Sequence, residues 1–167
     1  MGVEEHRSKA PKKVRLAIVT VSDTRTEKDD LSGMAIRSLA EGAGHVVAEK
    51  AIVKDDVKEI QRALRGMLEQ PALDAVVING GTGVSSRDVT LEAVDDFREK
   101  ALPGFGELFR ALSYEEIQSA AMMSRAEAFV TEGKIVFCLP GSEKAVRLAM
   151  TKLILPELGH IVWEIRR

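Results

Sequence analysis

The chain has 167 residues, of which 45% are hydrophobic and 30% charged, a balance that predicts a folded protein and excludes disorder along its whole length. Lys and Arg number 24 against 26 Asp and Glu, so the net charge of −2 and the 4% aromatic content argue against a nucleic-acid partner. No apolar run approaches the roughly 20 residues of a membrane span, and a single cysteine excludes an intrachain disulfide, so we expect a cytoplasmic protein without membrane contact.

The amino-terminal residues, MGVEEHRSKAPKK, are charged and lack the apolar stretch of a signal peptide. They predict a flexible charged tail over residues 1–13, followed by a single domain over residues 14–167. His6, His45 and His160 are scattered along the chain without the spacing of metal ligands, which argues against a histidine metal site.

Strands and helices alternate in the first half of the chain. The segments 14–21, 45–53 and 74–79 are apolar runs typical of strands, and the first is apolar almost throughout, as in a strand buried on both faces. Between them, apolar residues at helical spacing predict one helix that ends near Gly42 and a second that begins at Asp56 with the capping-box pattern D-x-x-E.

The middle of the chain is predicted to be helical. A short helix follows Thr90, which we expect to be its N-cap. PGFGE (103–107) has more glycine than an ordinary helix start, which indicates close packing against a ligand or another chain. Ser113 and Glu116 form a second capping-box pattern and predict that a helix begins there.

The last third predicts a β-hairpin and two helices. AEAFV (126–130) and KIVFCL (134–139) flank the turn TEG, and helices are expected over 144–155 and from Pro156 onward. Cys138 lies in the second apolar run and is expected to be an inert core thiol. Strands and helices at βαβ spacing predict an α/β fold with a mainly parallel sheet plus this hairpin.

Ligands of open parallel sheets bind at the carboxyl ends of the strands. That rule selects four loops, at residues 22–25, 54–56, 80–88 and 140–142, and the unusual residues of the chain are concentrated there.

The sequence GGTGVSSRD follows the third strand. Gly80, Gly81 and Gly83 permit a sharp turn, and successive N–H groups with the hydroxyl of Thr82 can hold a phosphate or a polar ring. No G-K-[ST] follows, as a Walker loop requires, and the third glycine of a dinucleotide fingerprint is missing. Two interpretations stay open: a ligand-binding loop and a plain tight turn.

Carboxylates stand at two of these strand ends. Asp55 and Asp88 can converge on one Mg²⁺ ion, the ion that phosphate transfer usually needs, and they are the candidate catalytic and metal-binding residues. For Asp55, helix capping is an equally reasonable role. Asp88 is a weaker capping candidate because Thr90 is better placed.

The turn Pro140, Gly141 and Ser142 leads into a helix and is a candidate anion site, with Lys144 and Arg147 adding positive charge nearby. Ser142 serves equally well as a plain N-cap. The residues leave two further roles open. Glu107 either orients a ligand or is solvated, and Arg125 is either a phosphate ligand or a surface cation.

Several blocks, in this order, resemble the MoaB/Mog family of molybdenum cofactor biosynthesis proteins. They are VSDTR, DLSG, GGTG..SRDVT.EA, PGFGELFRALSYEEI, SR and LPGS.KAVRLA..KLILPEL, and together they cover residues 15–160. The later blocks are most similar to the MoaB branch. Ordered motifs over a whole domain are far more specific than GGTG alone.

The resemblance implies a three-layer α/β/α fold that assembles as trimers or hexamers. It implies binding of molybdopterin and Mg²⁺- and ATP-dependent adenylylation of the terminal phosphate of this pterin, with release of pyrophosphate. It places the acidic site positions on Asp55 and Asp88, and the pterin-phosphate region on the PGS turn with Ser142. The nucleotide-side loops fall on Gly80–Gly83 and on Ser22 with Asp23.

Two residues depart from the family pattern. Leu91 and Glu143 stand where the family often has proline, and Glu143 places a negative charge beside the predicted phosphate site. Members of the MoaB branch differ in whether they catalyse adenylylation. An adenylyltransferase and a non-catalytic molybdopterin-binding or delivery protein are therefore both open. A third option, a related domain of the kind fused to nicotinamide-nucleotide amidases, is weaker because the chain length leaves no room for a second catalytic domain.

Overall fold

The computed structural model describes residues 2–167, whose strands form one six-stranded sheet. The strands are β1 (Arg15–Val21), β2 (Val46–Val53), β3 (Ala75–Asn79), β4 (Lys100–Ala101), β5 (Glu127–Thr131) and β6 (Lys134–Leu139). Their order in the sheet is β2-β1-β3-β6-β5-β4. Strands β2, β1, β3 and β6 are parallel, and β5 pairs antiparallel with both β6 and β4. The mainly parallel sheet with a hairpin is confirmed.

Seven helices accompany the sheet within residues 2–167. They are α1 (Val3–Lys9), α2 (Leu31–Gly42), α3 (Val57–Leu68), α4 (Thr90–Val94), α5 (Pro103–Ile117), α6 (Glu143–Ala149) and α7 (Leu155–Arg166). Short 3-10 turns follow α4 and α5, and a π-helical turn joins α6 to α7. Within this part of the chain, no helix is both long and apolar enough to cross a membrane.

The sheet is covered on both faces, which explains its continuous apolar strands. Leu16 and Ile18 of β1 belong to one core cluster with residues of α2, α5, α6 and α7. Ala17, Val19 and Val21 point to the opposite face and pack with residues of α3 and α4. These three layers confirm the α/β/α architecture, and they leave the loops at the carboxyl ends of the strands open to a ligand.

Helix α5 is continuous, so the predicted helix start at Ser113 is wrong. Pro103 is the first residue of α5, a position that suits its fixed φ and missing N–H. Ser113 is buried in the middle of the helix. The glycines of PGFGE do mark a close approach, but to the same chain: a Cβ on Gly106 would lie 2.7 Å from the carbonyl oxygen of Ala126.

The amino-terminal segment also differs from its prediction. A flexible tail was expected over residues 1–13, whereas Val3–Lys9 form helix α1, which lies against α7. The ring of His6 packs on the indole of Trp163 with 4.7 Å between centroids, and Arg7 pairs with Glu157. A tail with few apolar residues is thus held by two ring contacts of His6, with Trp163 and His160, and by ion pairs.

Candidate functional site

The four predicted loops meet at the carboxyl edge of the sheet. The N–H of Ser22 donates to the carbonyl of Val53 at 2.9 Å, which joins the loops after β1 and β2. The N–H of Gly80 donates to the carbonyl of Leu139 at 2.9 Å, which joins the loops after β3 and β6. The side chain of Asp23 accepts a hydrogen bond from the N–H of Asp55 at 3.1 Å. The prediction that these four loops lie together at one edge of the sheet is therefore confirmed.

Glycine is required twice in the loop after β3. Gly80 and Gly81 have φ of 102° and 69°, which L side chains rarely adopt. A Cβ on Gly80 would lie 2.2 Å from the carbonyl oxygen of Val21, and one on Gly81 would lie 2.3 Å from Oγ1 of Thr90. These contacts within the chain make the loop a tight turn. Thr82 is buried, while Ser85 and Ser86 are exposed.

Two residues hold this loop in place. The prediction that Thr90 is the N-cap of α4 is wrong: Val89 is the N-cap, and Thr90 is the first residue of the helix. The buried hydroxyl of Thr90 instead donates a hydrogen bond to the carbonyl of Gly80 at 2.7 Å. The guanidinium of Arg125 donates to the carbonyls of Gly83 and Asp88. Arg125 is therefore not a free surface cation, and the phosphate-ligand interpretation stays open. Arg125 clamps the glycine loop, although its outer side also pairs with Glu92.

Asp55 lies at the centre of the loop cluster. Its Oδ1 lies 3.4 Å from where a Cβ on Gly81 would be, so the carboxylate stands beside the glycine turn. Partial burial, followed by the negative charge of Asp23, raises the pKa of Asp55 above its usual range. Capping is not its task, because the side chain of Asp56 caps α3 by accepting from the N–H of Glu59 at 3.0 Å.

The other two carboxylates of the site are partly engaged. Asp23 accepts two hydrogen bonds from Arg87, at 3.0 and 2.7 Å, and this contact lowers the pKa of Asp23. Asp88 accepts from the N–H of Ser85 at 2.9 Å, which closes its own loop. Within residues 2–167, Asp23, Asp55 and Asp88 do not bring three ligand atoms within 4.8 Å of one another.

The PGS turn lies directly beside the glycine loop. A Cβ on Gly141 would lie 3.2 Å from the Cα of Gly80, and the hydroxyl of Ser32 donates to the carbonyl of Gly141. Ser142 is the N-cap of α6, and its Oγ accepts from the N–H of Ala145 at 3.2 Å. The N-cap interpretation of Ser142 is therefore correct, and the close packing of Gly141 on Gly80 makes the PGS turn and the glycine loop direct neighbours.

The cations predicted near this turn are engaged elsewhere. Lys144 is largely exposed and lies 3.6 Å from a carboxylate oxygen of Glu116. Arg147 pairs with Glu143 at 2.9 Å, so the charge of Glu143 is offset within its own helix. The structure does not bring Lys144 toward the glycine loop through any contact among residues 2–167.

Arg25 is the cation that sequence reasoning missed. Its Nη1 donates to the hydroxyl of Ser32 at 3.1 Å and lies 3.9 Å from where a Cβ on Gly141 would be. The guanidinium is about one-third exposed, so it borders the PGS turn and reaches solvent. Its place in the block VSDTR was the available signal, but nothing in the sequence indicates which loop it contacts.

A buried carboxylate, Asp30, supports this corner of the site. It accepts hydrogen bonds from the hydroxyl of Thr20 at 2.7 Å and from the N–H of Gly33 at 3.0 Å, and it pairs with Lys50 at 2.9 Å. Burial alone would raise the pKa of Asp30, but these contacts outweigh it and lower the pKa. The start of α2, which carries Ser32, is thereby fixed.

A cavity of about 520 Å³ adjoins the glycine loop through Arg125. Glu107 and Arg110 of α5 line it together with Leu91 and Met122. Glu107 is exposed at this cavity, so both of its predicted roles stay open. Cys138 lies away from solvent in β6, and burial raises the pKa of its thiol far above the usual value, as expected for an inert core cysteine.

Two histidines that are far apart in the sequence lie close together in the structure. His6 and His160 are not scattered in space: together with Glu164 they bring three potential ligand atoms within 4.8 Å of one another. The packing of α1 on α7 brings His6 close to His160 and Glu164, although these residues are separated by most of the chain. Rules based on the spacing of ligands in the sequence cannot detect such a cluster.

Comparisons with known proteins agree with this geometry. Residues 17–160 match the family described as "Probable molybdopterin binding domain". The chain is 53% identical to molybdenum cofactor biosynthesis protein B of Halalkalibacterium halodurans, over 99% of this chain and 98% of that protein. It is 52% identical to the protein of the same name from Bacillus subtilis, over 100% of this chain and 99% of the relative.

Solved structures are similar over nearly the whole chain. A crystal structure of molybdenum cofactor biosynthesis protein B superposes with a TM-score of 0.91 at 54% identity, covering 95% of this chain and 99% of the other. The tungsten cofactor synthesizing protein MoaB from Pyrococcus furiosus superposes with a TM-score of 0.86 at 36% identity, covering 95% and 100%. This chain belongs to the MoaB/Mog family of molybdenum cofactor biosynthesis proteins.

Proposed function

We propose that this chain binds molybdopterin and transfers an adenylyl group from ATP to its terminal phosphate, with Mg²⁺ as the required ion and pyrophosphate as the second product. Family membership supports the molybdopterin ligand. The transfer step rests on the environment of Asp55. Its carboxylate is partly buried and has no ion-pair partner among residues 2–167. It lies beside the glycine turn, where the four strand-end loops meet.

The residues at this edge suit adenylyl transfer. The pterin phosphate attacks the α-phosphorus of ATP in line, and the bond to pyrophosphate breaks, so no protein nucleophile is needed. The protein must position two ligands and offset negative charge. Glycines, hydroxyls, carboxylates and Arg25 make up the loop cluster, and Cys138 is buried away from it.

The carboxylates fit Mg²⁺. Burial and the charge of Asp23 raise the pKa of Asp55, and Asp88 adds to this effect, a repulsion that a divalent cation would relieve. Mg²⁺ is usually held by one or two carboxylates plus substrate phosphates, so three convergent protein ligands are not required. Asp55 and Asp88 would hold the ion, which when bound supplies charge neutralisation at the transferring phosphoryl group. Asp23 is less suited because Arg87 occupies it.

The two ligands are assigned to adjacent loops. We place the nucleotide at Gly80–Gly83 with Ser22 and Asp23, and the pterin phosphate at Pro140–Ser142. The close packing of Gly141 on Gly80 supports neighbouring positions, as transfer requires. Arg25 takes the charge-offsetting role first assigned to Lys144, because Arg25 borders Gly141 and Lys144 pairs with Glu116.

The proposed protein is a cytoplasmic homo-oligomer, a trimer or a hexamer. The apolar surface that supports self-association is not on α7, because Ile161 and Ile165 pack against the core. It lies instead on the outer side of α5 and the turn after it, where large apolar side chains are exposed: Leu108, Tyr114, Ile117, Met122 and Met123. Light scattering that gives the mass of a single chain at micromolar concentration would contradict this assembly.

Pyrophosphate release tests the proposed reaction. Protein, Mg²⁺, ATP and molybdopterin are mixed, and pyrophosphate is measured with wild type, with Asp88→Asn and with Asp96→Asn, an exposed carboxylate on the turn after α4. We expect turnover in wild type and Asp96→Asn, and a loss of about 10²-fold or more in Asp88→Asn. Tight molybdopterin binding without pyrophosphate in wild type would instead identify a binding or delivery protein.

A further inference from the structure

The structure brings together a group of metal-ligating side chains far from the loops described above. His160 and Glu164 of α7 border a cavity next to Gly133, in the turn that precedes the amino end of β6. His6 of α1 faces them. The candidate site lies at the carboxyl ends of the same strands, so the two clusters occupy opposite edges of the sheet.

The three ligand atoms converge from two helices. His160 and Glu164 are four residues apart on α7, which places both side chains on one face. Oε1 of Glu164 lies 2.6 Å from Nδ1 of His6 and 3.6 Å from Nε2 of His160. A tetrahedral ion with bonds of about 2.0–2.1 Å holds its ligand atoms roughly 3.3 Å apart, between these two distances.

Of the two imidazole contacts to Glu164, only the one from His6 has the length of a hydrogen bond. The 3.6 Å between His160 and Glu164 is too long for a hydrogen bond, yet the imidazole nitrogen faces the carboxylate oxygen. His6 is mostly buried against Trp163, and its Nε2 has no hydrogen-bond partner within residues 2–167. The contact with Glu164 is therefore the polar anchor of His6.

The surrounding groups orient the ligands as they do around protein-bound metals. Nδ1 of His160 contacts Oε2 of Glu157 at 2.9 Å, which leaves Nε2 to face the cluster. The nearby cations are engaged: Arg7 pairs with Glu157, and Arg167 lies 3.5 Å from Oε2 of Glu164, the oxygen that faces away from the imidazoles. The inner oxygen of Glu164 is left to the two histidines.

We infer that His6, His160 and Glu164 form a binding site for Zn²⁺ or a similar first-row divalent metal, which fastens α1 onto α7. Two imidazole nitrogens and one carboxylate oxygen favour Zn²⁺ over Mg²⁺, which prefers oxygen ligands alone. Three protein ligands leave a fourth tetrahedral position for water. The site is independent of the proposed adenylyl transfer.

Metal titration tests the site directly. Untagged protein is stripped with a chelator and titrated with Zn²⁺ by calorimetry, and with Co²⁺ by its visible absorption. Wild type should bind a single ion per chain with a tetrahedral Co²⁺ spectrum. His6→Gln and His160→Gln should each weaken binding by more than the roughly 10- to 100-fold expected for Glu157→Gln, which removes only the orienting partner. Glu164→Gln replaces His160→Gln if the latter does not fold.

His45→Gln is the matched control. Nδ1 of His45 accepts from the N–H of Val14, a bond that the oxygen of glutamine can replace, and His45 is not part of the cluster. It should bind the ion as tightly as wild type. Equal affinity in His6→Gln and His45→Gln, or no saturable binding by wild type, would overturn the site.

Hydrogen exchange gives a second readout. Zn²⁺ should slow exchange in residues 3–9 of wild type and leave exchange in His6→Gln unchanged, because only the intact site allows the ion to connect α1 to α7. Slower exchange in both proteins would show that Zn²⁺ acts elsewhere, and would also overturn the proposal.

Discussion

Two aspartates near helix starts show how differently one side chain can be used in this molecule. Asp30 is fully buried before α2, and it accepts hydrogen bonds from Thr20 and Gly33 and pairs with Lys50. Asp55 is only partly buried before α3 and has no cation within ion-pair distance among residues 2–167. The pKa of Asp30 is lowered and that of Asp55 is raised.

The comparison distinguishes a carboxylate that stabilises the fold, Asp30, from one that is available for function, Asp55. Burial penalises both carboxylates, but at Asp30 the surrounding donors outweigh that penalty, whereas at Asp55 the neighbouring Asp23 adds to it. A carboxylate that the fold leaves uncompensated is suited to an incoming cation or a cationic complex. The same substitution at both positions, Asp to Asn, should therefore have opposite effects on stability and on activity.

The largest expected effect is on the stability of Asp30→Asn. Removing this charge leaves Lys50, which is mostly buried, without its partner, and such losses cost about 3–5 kcal/mol. Urea unfolding should show this loss, while Asp55→Asn unfolds at the wild-type midpoint or slightly above it. Equal midpoints for Asp30→Asn and wild type would mean that Lys50 finds water or another partner at no cost.

The next largest effect is on the activity of Asp55→Asn. Loss of a metal-binding carboxylate should lower pyrophosphate release by about 10²-fold or more, which corresponds to about 2.7 kcal/mol of barrier. Asp30→Asn, measured well below its melting temperature, should lose less turnover than Asp55→Asn, because Asp30 acts on the site only through Arg25 and the start of α2. Wild-type turnover by folded Asp55→Asn would remove this residue from the site.

A smaller effect is expected for Ser142→Asp, which probes the assignment of the two ligands. Aspartate caps a helix as well as serine does, so α6 should be unaffected and only a negative charge is added. We expect pterin affinity to fall about tenfold, or about 1.4 kcal/mol, with little change for ATP. Fluorescence quenching measures the pterin and calorimetry measures the nucleotide. Loss of ATP affinity alone would reverse the assignment.

Glu143→Pro is the companion variant at the same turn. Glu143 is the first residue of α6, a position where proline is favourable. Replacing Glu143 also removes the ion-pair partner of Arg147. Pterin affinity should stay the same or increase. Weaker pterin binding in this variant would argue against a phosphate at the PGS turn.

The sequence was informative wherever a local pattern reflects burial. Strands β1, β3 and β6 are apolar because helices cover both faces of the sheet, and the loops that follow them could be located from that pattern. Strand β4 was missed because both of its residues, Lys100 and Ala101, are exposed and carry no alternation. The capping pattern at Ser113 misled because burial of the serine inside α5 overrides it.

Contacts between distant residues could not be predicted. Arg87 reaches Asp23 across 64 positions, and Arg125 reaches Gly83 across 42, so neither role follows from spacing. The uncompensated charge of Asp55 is likewise visible only in the fold, because it depends on where Arg87 and Lys50 go. The sequence named Asp55 as a candidate but left capping open, a role that Asp56 performs.

The smallest predicted effect is a pH-dependent gain of stability in Asp55→Asn. The folded state raises the pKa of Asp55, so the protonated form is favoured and its stabilising contribution is lost as pH rises through that pKa. At pH 7 the carboxylate therefore weakens the fold, and asparagine should add less than about 1 kcal/mol, or up to roughly 2–4 °C in melting temperature. The gain should vanish near pH 3, where Asp55 is protonated. Asp56→Asn is the control: it keeps the cap of α3 but removes a charge that the helix dipole favours, so it should lower stability slightly at pH 7. Thermal melts of both variants between pH 3 and 8 should show a gain that grows with pH in Asp55→Asn and no such gain in Asp56→Asn. If the melting temperatures of both variants shift in the same direction, the effect comes from net charge, and the environment of Asp55 does not destabilise its carboxylate.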